Sequence, residues 1–142
     1  MLNSIDYGIP QKIEHIYMVC FRKDLILNST DIMQNTNKTI RIGTVGKGGQ
    51  GERIYSPKGI AITLSSNGGG IFSKTGGYLV NGKTRKLHPR ECARIMGFPD
   101  SYMIHPSFNQ AYKQFGNSVV VNVLQYIAIN IGKALNYEYS FI

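Results

Sequence analysis

Two side chains suited to contacting nucleic-acid bases lie three residues apart near the middle of the chain. Arg53 can donate two hydrogen bonds to the edge of a guanine, and Gln50 can hydrogen-bond to bases or fill the space beside them. From their spacing alone, the favoured interpretation is that both are solvated loop residues. The segment around them, residues 41–90, favours the binding interpretation because of its charge and its glycines.

Residues 41–90 carry the whole net charge of the protein. Nine lysines and arginines stand there against one acid, Glu52, which leaves +8, and the 142-residue chain also has a net charge of +8. Twelve of the 16 glycines lie between Gly43 and Gly82, and glycine lets a backbone approach its ligand closely. A basic, glycine-rich surface predicts a polyanionic partner, most simply nucleic acid. The alternative is a glycine-rich β-domain with solvated lysines.

A dinucleotide-binding loop is not supported, although residues 46–51 match the pattern G-x-G-x-x-G. That fingerprint requires a helix that begins in its glycines and an acid about 20 residues further on. Here Pro57 interrupts the following segment, and the next acid after Glu52 is Glu91. The match is therefore interpreted as chance.

A metal site and a reactive thiol are not supported either. Cys20 and Cys92 are far apart and form no CxxC pair, so no zinc site is predicted. Cys92 is interpreted as a small buried apolar residue within a helix. His15, His88 and His105 show no ligand spacing. We predict neither a catalytic residue nor a metal ligand in this chain.

Length and composition indicate one domain with a modest core. The 142 residues are 42% apolar, which is enough to bury a core, although small domains are only marginally stable. We identify no apolar run long enough to span a membrane and no N-terminal signal peptide. Together with the unpaired cysteines, these features predict a cytoplasmic protein that does not bind membranes.

Short strands are expected to position Gln50 and Arg53. Between residues 39 and 80, β-prone runs alternate with glycine-rich turn signals. This pattern is typical of a small twisted sheet or an open barrel. The predicted strands are residues 40–45, 53–55, 60–64, 70–73 and 78–80.

Two helices are predicted after the strands. Pro89 suits the first turn of a helix over 89–96, and Gly97 suits its C-terminal end. A second helix, 119–135, follows the good N-cap residues Asn117 and Ser118. This second helix is mostly apolar and must be buried against something large.

The N-terminal part begins with turn signals and then an apolar run. Residues 16–21 predict a strand buried on both faces, and 23–38 a mainly polar connector with a short helix from Thr30 or Asp31. This strand and the apolar C-terminal helix both need a core that the polar middle does not supply. We therefore expect part of that core to lie in another chain.

Three segments carry a resemblance to a known family. Residues 85–100, RKLHPRECARIMGFPD, resemble the ninth conserved motif of bacterial DNA (cytosine-5) methyltransferases. Residues 114–120, QFGNSVV, resemble the tenth, and residues 7–11, YGIPQ, resemble the start of the eighth. The glycine-rich middle closely resembles the target recognition domain of a family member that reads GCGC. The resemblance covers nearly the whole chain.

The resemblance implies an α+β fold with a small β-rich target recognition domain. A terminal strand and a C-terminal helix would belong to an absent Rossmann-like methyltransferase domain. Such exposed apolar surface predicts self-association, for example by exchange of the C-terminal helix. The implied parts are 1–24, the motif VIII strand; 25–88, the recognition domain; 89–116, a hinge with the motif IX helix; and 117–142, the motif X helix and tail.

The resemblance also assigns site residues. Arg53 would pair with a guanine edge, and Gln50 would enter the space left by a cytosine flipped out of double-stranded DNA. Asn117 and Ser118 would lie beside S-adenosylmethionine. The complete set of implied DNA contacts is Gln50, Arg53, Thr63, Ser65, Gly68, Gly69, Gly70 and Lys74.

The resemblance implies recognition without the reactive groups. Complete family members have a glycine motif for the cofactor, a Pro-Cys nucleophile loop and a Glu-Asn-Val acid. Neither cysteine of this chain follows a proline, and no Glu-Asn pair occurs. We therefore expect no activity from the chain alone, and cofactor binding only together with the missing catalytic domain, which a separate subunit could supply.

Departures from the family pattern keep other functions open. Ile13 and His15 replace two arginines of the eighth motif, Asn67 replaces an aromatic residue, and the connection after Arg22 looks shortened. The first hypothesis is the DNA-recognition portion of a methyltransferase of a restriction-modification system, as one subunit of a two-chain enzyme. The alternative, which the two missing arginines favour, is a non-catalytic remnant of a truncated gene. A basic protein that coats nucleic acid without sequence preference is the third hypothesis.

Overall fold

The computed structural model describes residues 2–11, 14–15 and 38–135. The predicted strand 16–21, the connector with its short helix and the link after Arg22 lie outside these residues. A two-stranded antiparallel sheet near the N-terminus pairs β1 (Leu2–Asn3) with β2 (Glu14–His15). A 3-10 helix, Ser4–Tyr7, follows β1 directly.

The main sheet has four strands in the order β3-β4-β5-β6. Only β4 and β5 run parallel, and a bulge interrupts the pairing of β3 with β4. The predicted strands 40–45, 53–55 and 78–80 are therefore confirmed, and β6 was not predicted. The bounds are Arg41–Thr44 for β3, Arg53–Tyr55 for β4, Gly77–Val80 for β5 and Lys83–Arg85 for β6.

The connection between β5 and β6 is a two-residue hairpin turn. Val80 pairs with Lys83, and the two residues between them, Asn81 and Gly82, have φ of 50° and 75°. Two positive φ angles are the mark of a type I′ turn, whose twist matches that of the flanking strands. The Asn-Gly dipeptide therefore accounts for the fourth strand.

Two predicted strands are wrong. Among the described residues, 60–64 form one isolated bridge, between Ala61 and Gln11. The Ile62 amide donates to the Tyr78 hydroxyl at 3.1 Å instead of to a strand neighbour. Residues 70–73 lie in a turn. There the Phe72 amide donates to the carbonyl of Gly51 at 2.7 Å, outside any strand ladder.

The first helix is confirmed as α1, Pro89–Ile95. His88 is its N-cap, and the His88 Nδ1 accepts a hydrogen bond from the Arg90 amide at 3.2 Å. Gly97 has a φ of 82°, the left-handed conformation that commonly ends a helix.

The C-terminal region contains two helices, α2 (Phe108–Asn117) and α3 (Val121–Ala134). The predicted N-cap role of Asn117 and Ser118 is therefore wrong, because Asn117 ends α2 and Ser118 caps its C-terminus. The helix α2 was not predicted, since only two buried side chains four residues apart, Ala111 and Phe115, face its core.

One apolar core joins the main sheet to α1, α2 and α3. The helix α3 also contacts the N-terminal 3-10 helix: Asn122 Nδ2 donates to the carbonyl of Tyr7 at 3.1 Å, and the rings of Tyr7 and Tyr126 lie 4.7 Å apart. Leu124 on α3 remains 47% exposed. The core consists of Ile9, Tyr55, Ala61, Leu64, Tyr78, Leu87, Cys92, Ala93, Met96, Ala111, Phe115, Val120 and Val123. Self-association through α3, and its assignment to a Rossmann-like domain, remain predictions.

By length and composition alone, Phe108–Ala134 could cross a membrane, with 27 residues and a mean hydropathy of 1.2 in its most apolar window. The backbone leaves the helical conformation at Ser118 and resumes it at Val121, so the stretch consists of two helices. A single continuous helix of about 20 residues is what a span requires.

The strand β6 is tied to α1 by one carboxylate. The Glu91 oxygens accept from Arg85 Nη1 and Nη2 at 2.7 and 2.8 Å, and Glu91 Oε2 also accepts from the His88 amide at 2.6 Å. The hydrogen bonds from Arg85 are the main reason why the pKa of Glu91 lies below its ordinary value of 4.5.

We predict that this carboxylate makes stability depend on acid pH. A lowered pKa in the folded state means that the unfolded chain binds more protons, so the contribution is present above about pH 4.5 and is lost as pH falls further. Because the pair is partly exposed, the contribution is at most about 1 kcal/mol. Urea unfolding at pH 7 and pH 3 should show Glu91→Gln to be less stable than the parent only at pH 7. An equal difference at both pH values would contradict this assignment.

Candidate nucleic-acid interface

Two glycine-rich loops enclose a cavity of about 340 Å³. We call the loops loop 49–52 and loop 65–74, and the space between them the recognition cavity. Six of the eight residues predicted to contact DNA line it, and they come from both loops. These six are Gln50, Ser65, Gly68, Gly69, Gly70 and Lys74. Asn67 also lines the cavity.

The carboxylate of Glu52 stabilises the conformation of loop 49–52. The Gly49 amide donates to Glu52 Oε2 at 3.0 Å, which caps the 3-10 helix Gln50–Glu52. The Val45 amide donates to the carbonyl of Glu52 at 2.7 Å and so fixes the loop to the end of β3. Glu52, the one acid in residues 41–90, lines the cavity, and its carboxylate is already hydrogen-bonded within its own loop.

The two loops approach each other too closely to admit a side chain at Gly51. A Cβ atom on Gly51 would lie 2.1 Å from the carbonyl oxygen of Gly69. Ordinary Cβ contacts with backbone atoms are longer than 3 Å. Glycine is therefore required at this position for close approach and not for an unusual φ angle.

The remaining two predicted contacts, Arg53 and Thr63, border the cavity. Arg53 begins β4 directly after loop 49–52, and its Nε donates to the carbonyl of Gly48 at 3.1 Å. The two Nη groups of Arg53, which form the fork that matches a guanine edge, take no part in that bond. Gln50 Nε2 donates weakly, at 3.4 Å, to the carbonyl of Thr63. The structure therefore brings all eight residues into one region.

Lys74 has an unusual backbone conformation for a residue with a side chain. Its φ is 76°, in the left-handed region that costs most residues roughly 1–2 kcal/mol. Its carbonyl accepts from the Ser65 amide at 2.9 Å, and its Nζ donates to Asn109 Oδ1 of α2 at 2.8 Å. Asn109 was not singled out from the sequence, since nothing local connects it with residue 74.

The two residues implied for the cofactor lie at the far end of α2 from Asn109. Asn117 is exposed there, and the Ser118 hydroxyl donates to the carbonyl of Phe115 at 3.0 Å. Two residues would form only one edge of a site for a molecule as large as S-adenosylmethionine.

The structure supports the interpretation of Cys92 as a core residue. Its side chain is fully buried, and burial raises the pKa of its thiol to about 12. A thiol with so high a pKa supplies almost no thiolate at neutral pH. Among the residues that the structure describes, no group of three or more possible metal ligands occurs.

Comparisons with known proteins identify the family. The family model for C-5 cytosine-specific DNA methylases matches residues 44–133, which include both loops and most of α3. The chain belongs to the C-5 cytosine-specific DNA methylase family. Residues 85–100 and 114–120, which carry the motif resemblance, both lie within the matched region.

Curated relatives are Type II methyltransferases. The chain is 59% identical to M.HhaI of Haemophilus parahaemolyticus, over 97% of this chain and 54% of that protein. It is 31% identical to M.SsoII of Shigella sonnei, over 92% of this chain and 43% of that protein. The chain thus spans about half the length of these relatives.

The alignment with M.HhaI shows that this chain is shorter within the shared region. The alignment has 175 positions, whereas this chain has 142 residues. At least 33 positions of M.HhaI therefore have no counterpart in this chain. The alignment with M.HgiCI of Herpetosiphon aurantiacus has 89 positions and covers 63% of the chain, without such an excess. The shortening is real, and its predicted location after Arg22 remains a prediction.

Solved structures support the fold. A methyltransferase of Entamoeba histolytica, EhMeth, superposes with a TM-score of 0.59 at 17% identity, over 94% of this chain and 52% of that chain. The Dnmt2 methyltransferase of S. pombe gives 0.52 at 21% identity, over 66% and 38%. The predicted mixed α+β class is confirmed. At these identities, the two structures show similarity to this chain in fold alone.

We predict that glycine at position 74 stabilises the protein relative to alanine. Lys74→Gly and Lys74→Ala both remove the ammonium group, but only glycine tolerates a φ of 76° without strain. Urea unfolding should therefore show Lys74→Gly to be more stable than Lys74→Ala by roughly 1 kcal/mol. Equal stability of the two variants would mean that residue 74 does not hold this conformation in solution.

We also predict that Cys92 resists thiol reagents in the folded protein. A buried thiol with a pKa of about 12 reacts only when the core opens. In a Cys20→Ser background, labelling with a disulfide reagent at pH 8 should be slow and should accelerate with urea in parallel with unfolding. Rapid labelling in native buffer would refute the assignment of Cys92 to the core.

Proposed function

We propose that this chain is the DNA-recognition portion of an S-adenosylmethionine-dependent DNA (cytosine-5) methyltransferase of a restriction-modification system. The observation that carries this proposal is the grouping of eight family-implied DNA contacts around one cavity in a segment of charge +8. The 59% identity to M.HhaI supports the same assignment. GCGC is the proposed target because the segment resembles a GCGC-reading recognition domain.

In this proposal the side chains at the cavity divide into two roles. Arg53 pairs with a guanine edge, and Gln50 fills the space that a flipped cytosine leaves in the duplex. Thr63, Ser65, Lys74 and the loop of Gly68, Gly69 and Gly70 contact the DNA backbone or base edges. The phosphate contacts set the register, and the base contacts specify sequence.

The chemistry requires groups that we assign to a separate catalytic domain. Carbon 5 of cytosine is a poor nucleophile until a thiolate adds at carbon 6, while the base is held outside the duplex. Cys92 cannot be that thiolate, because it is buried and its pKa is raised to about 12. The same longer polypeptide or another chain would supply the catalytic domain.

The proposed parts follow the family motifs. Residues 1–24 and 117–142 would join the catalytic domain, 25–88 would bind DNA, and 89–116 would act as the hinge. S-adenosylmethionine supplies the methyl group when it is bound, and Asn117 and Ser118 would border it. The protein would act on DNA in the bacterial cytoplasm.

A second candidate, a remnant that binds DNA but supports no methylation, is favoured by Ile13 and His15, where the family has arginines. Mixing the chain with the N-terminal catalytic portion of M.HhaI distinguishes the two candidates. Methyl transfer to GCGC duplexes is expected from the recognition portion of an enzyme. Formation of a complex without transfer would favour the remnant.

We predict that Arg53→Ala reduces discrimination between GCGC and scrambled duplexes by roughly 1–3 kcal/mol, because a bidentate contact with guanine is lost. Lys58→Ala is the matched control, since it removes one positive charge from the same segment without touching the cavity. Fluorescence anisotropy at fixed salt should show that the control weakens binding to both duplexes equally. Identical behaviour of the two variants would refute guanine recognition by Arg53.

A further inference from the structure

The helix α2 touches loop 65–74 at both of its ends. Near its N-terminus, Asn109 Oδ1 accepts from Lys74 Nζ at 2.8 Å. Near its C-terminus, a Cβ atom on Gly116 would lie 2.2 Å from the Ser66 amide nitrogen and 2.4 Å from the Ser65 carbonyl carbon. Seven residues, about two helical turns, separate Asn109 from Gly116, so both face the same side.

The helix α2 is also fixed to the core. Ala111 and Phe115 are buried, and the Tyr112 hydroxyl donates to the carbonyl of Leu87 at 2.7 Å. The rings of Phe115 and Phe98 lie 5.7 Å apart. These contacts hold α2 against the core.

Loop 65–74 transmits the position of α2 to the recognition cavity. The Ser65 amide donates to the carbonyl of Lys74 at 2.9 Å, which joins the two ends of the loop. Ser65 and Lys74 both line the cavity. A displacement of the backbone at Ser65 and Ser66 would therefore change the shape of the cavity without removing any charge or any DNA contact.

We propose that Gly116 and Asn109 are positioning residues for sequence recognition, which hold loop 65–74 in the geometry that reads DNA. This inference rests on the proposed function. Gly116 acts by the absence of a side chain, which permits backbone contact with Ser65 and Ser66. Asn109 acts through Lys74, whose ammonium group donates to its Oδ1 and whose backbone closes the loop.

Gly116→Ala tests the inference, because helix propensity and steric conflict predict opposite effects of this substitution. Gly116 is helical, and alanine has the higher helix propensity, so local propensity alone would stabilise the variant. Steric conflict with Ser65 and Ser66 acts in the opposite direction. Since non-specific affinity depends on charge, the variant should bind scrambled DNA like the parent, while its preference for GCGC falls by about fivefold or more. Gln114→Ala, on the exposed part of α2, is the control.

Amide hydrogen exchange tests the same contact without DNA. In Gly116→Ala, the amides of Ser65 and Phe72 should exchange faster than in the parent, whereas the amides of Cys92 and Met96 in and after α1 should keep their rates. Parental exchange rates in loop 65–74 would overturn the inference. If the parent shows no preference for GCGC, the proposed function fails, and the exchange rates still decide whether Gly116 positions the loop.

A double-mutant cycle decides the case if Gly116→Ala accelerates exchange everywhere and thus unfolds. Asn109→Ala should weaken GCGC binding about two- to fivefold, as expected for one lost hydrogen bond. It should have no further effect in a Lys74→Ala background, because Asn109 acts through Lys74. Independent effects of the two substitutions would overturn the positioning role.

Discussion

Loop 49–52 and loop 65–74 contact each other through backbone atoms, with no side chain between them, and the recognition cavity depends on that contact. Gly51 faces the carbonyl of Gly69, and Gly116 of α2 faces the backbone of Ser65 and Ser66. A methyl group at Gly51 or Gly116 would require the backbone to move, because the opposing atoms are not flexible side chains. Glycine is thus required at both positions for a steric reason, in addition to any role of Gly51 in approaching DNA.

The electrostatics of the cavity follow from the same packing. Glu52 is the one acid among nine bases in residues 41–90, and its carboxylate accepts from the Gly49 amide. The acid thereby shapes the loop that carries Gln50, while the charge of the segment remains strongly positive. A polyanion that approached this surface would meet one acid, and that acid is already hydrogen-bonded within its own loop.

The sequence could predict features that depend on local signals. Pro89 and Gly97 delimit α1 closely, and the run at 53–55 matches β4 without error. The error at 60–64 arose because strand pairing depends on partners distant in sequence. The helix α2 escaped prediction because Ala111 and Phe115 provide only a narrow apolar stripe.

The candidate site divides in the same way. Charge and glycine content pointed to residues 41–90, and the family resemblance supplied individual positions within them. No local signal could show that Asn109 contacts Lys74 or that Gly116 packs on Ser65, because residues 35 and 51 positions apart along the chain meet only in the folded protein. These contacts required the tertiary structure.

The parallel pairing of β4 with β5 has a consequence for how target preference can diversify. Parallel neighbours must be joined by a crossover, and here the crossover is the segment 56–76, which contains loop 65–74. Because Ser65, Ser66 and Lys74 of this crossover contact α2, an inserted residue that displaced them would alter the recognition cavity. In the proposed function, exchange of cavity residues at constant loop length would change target preference without disturbing these contacts.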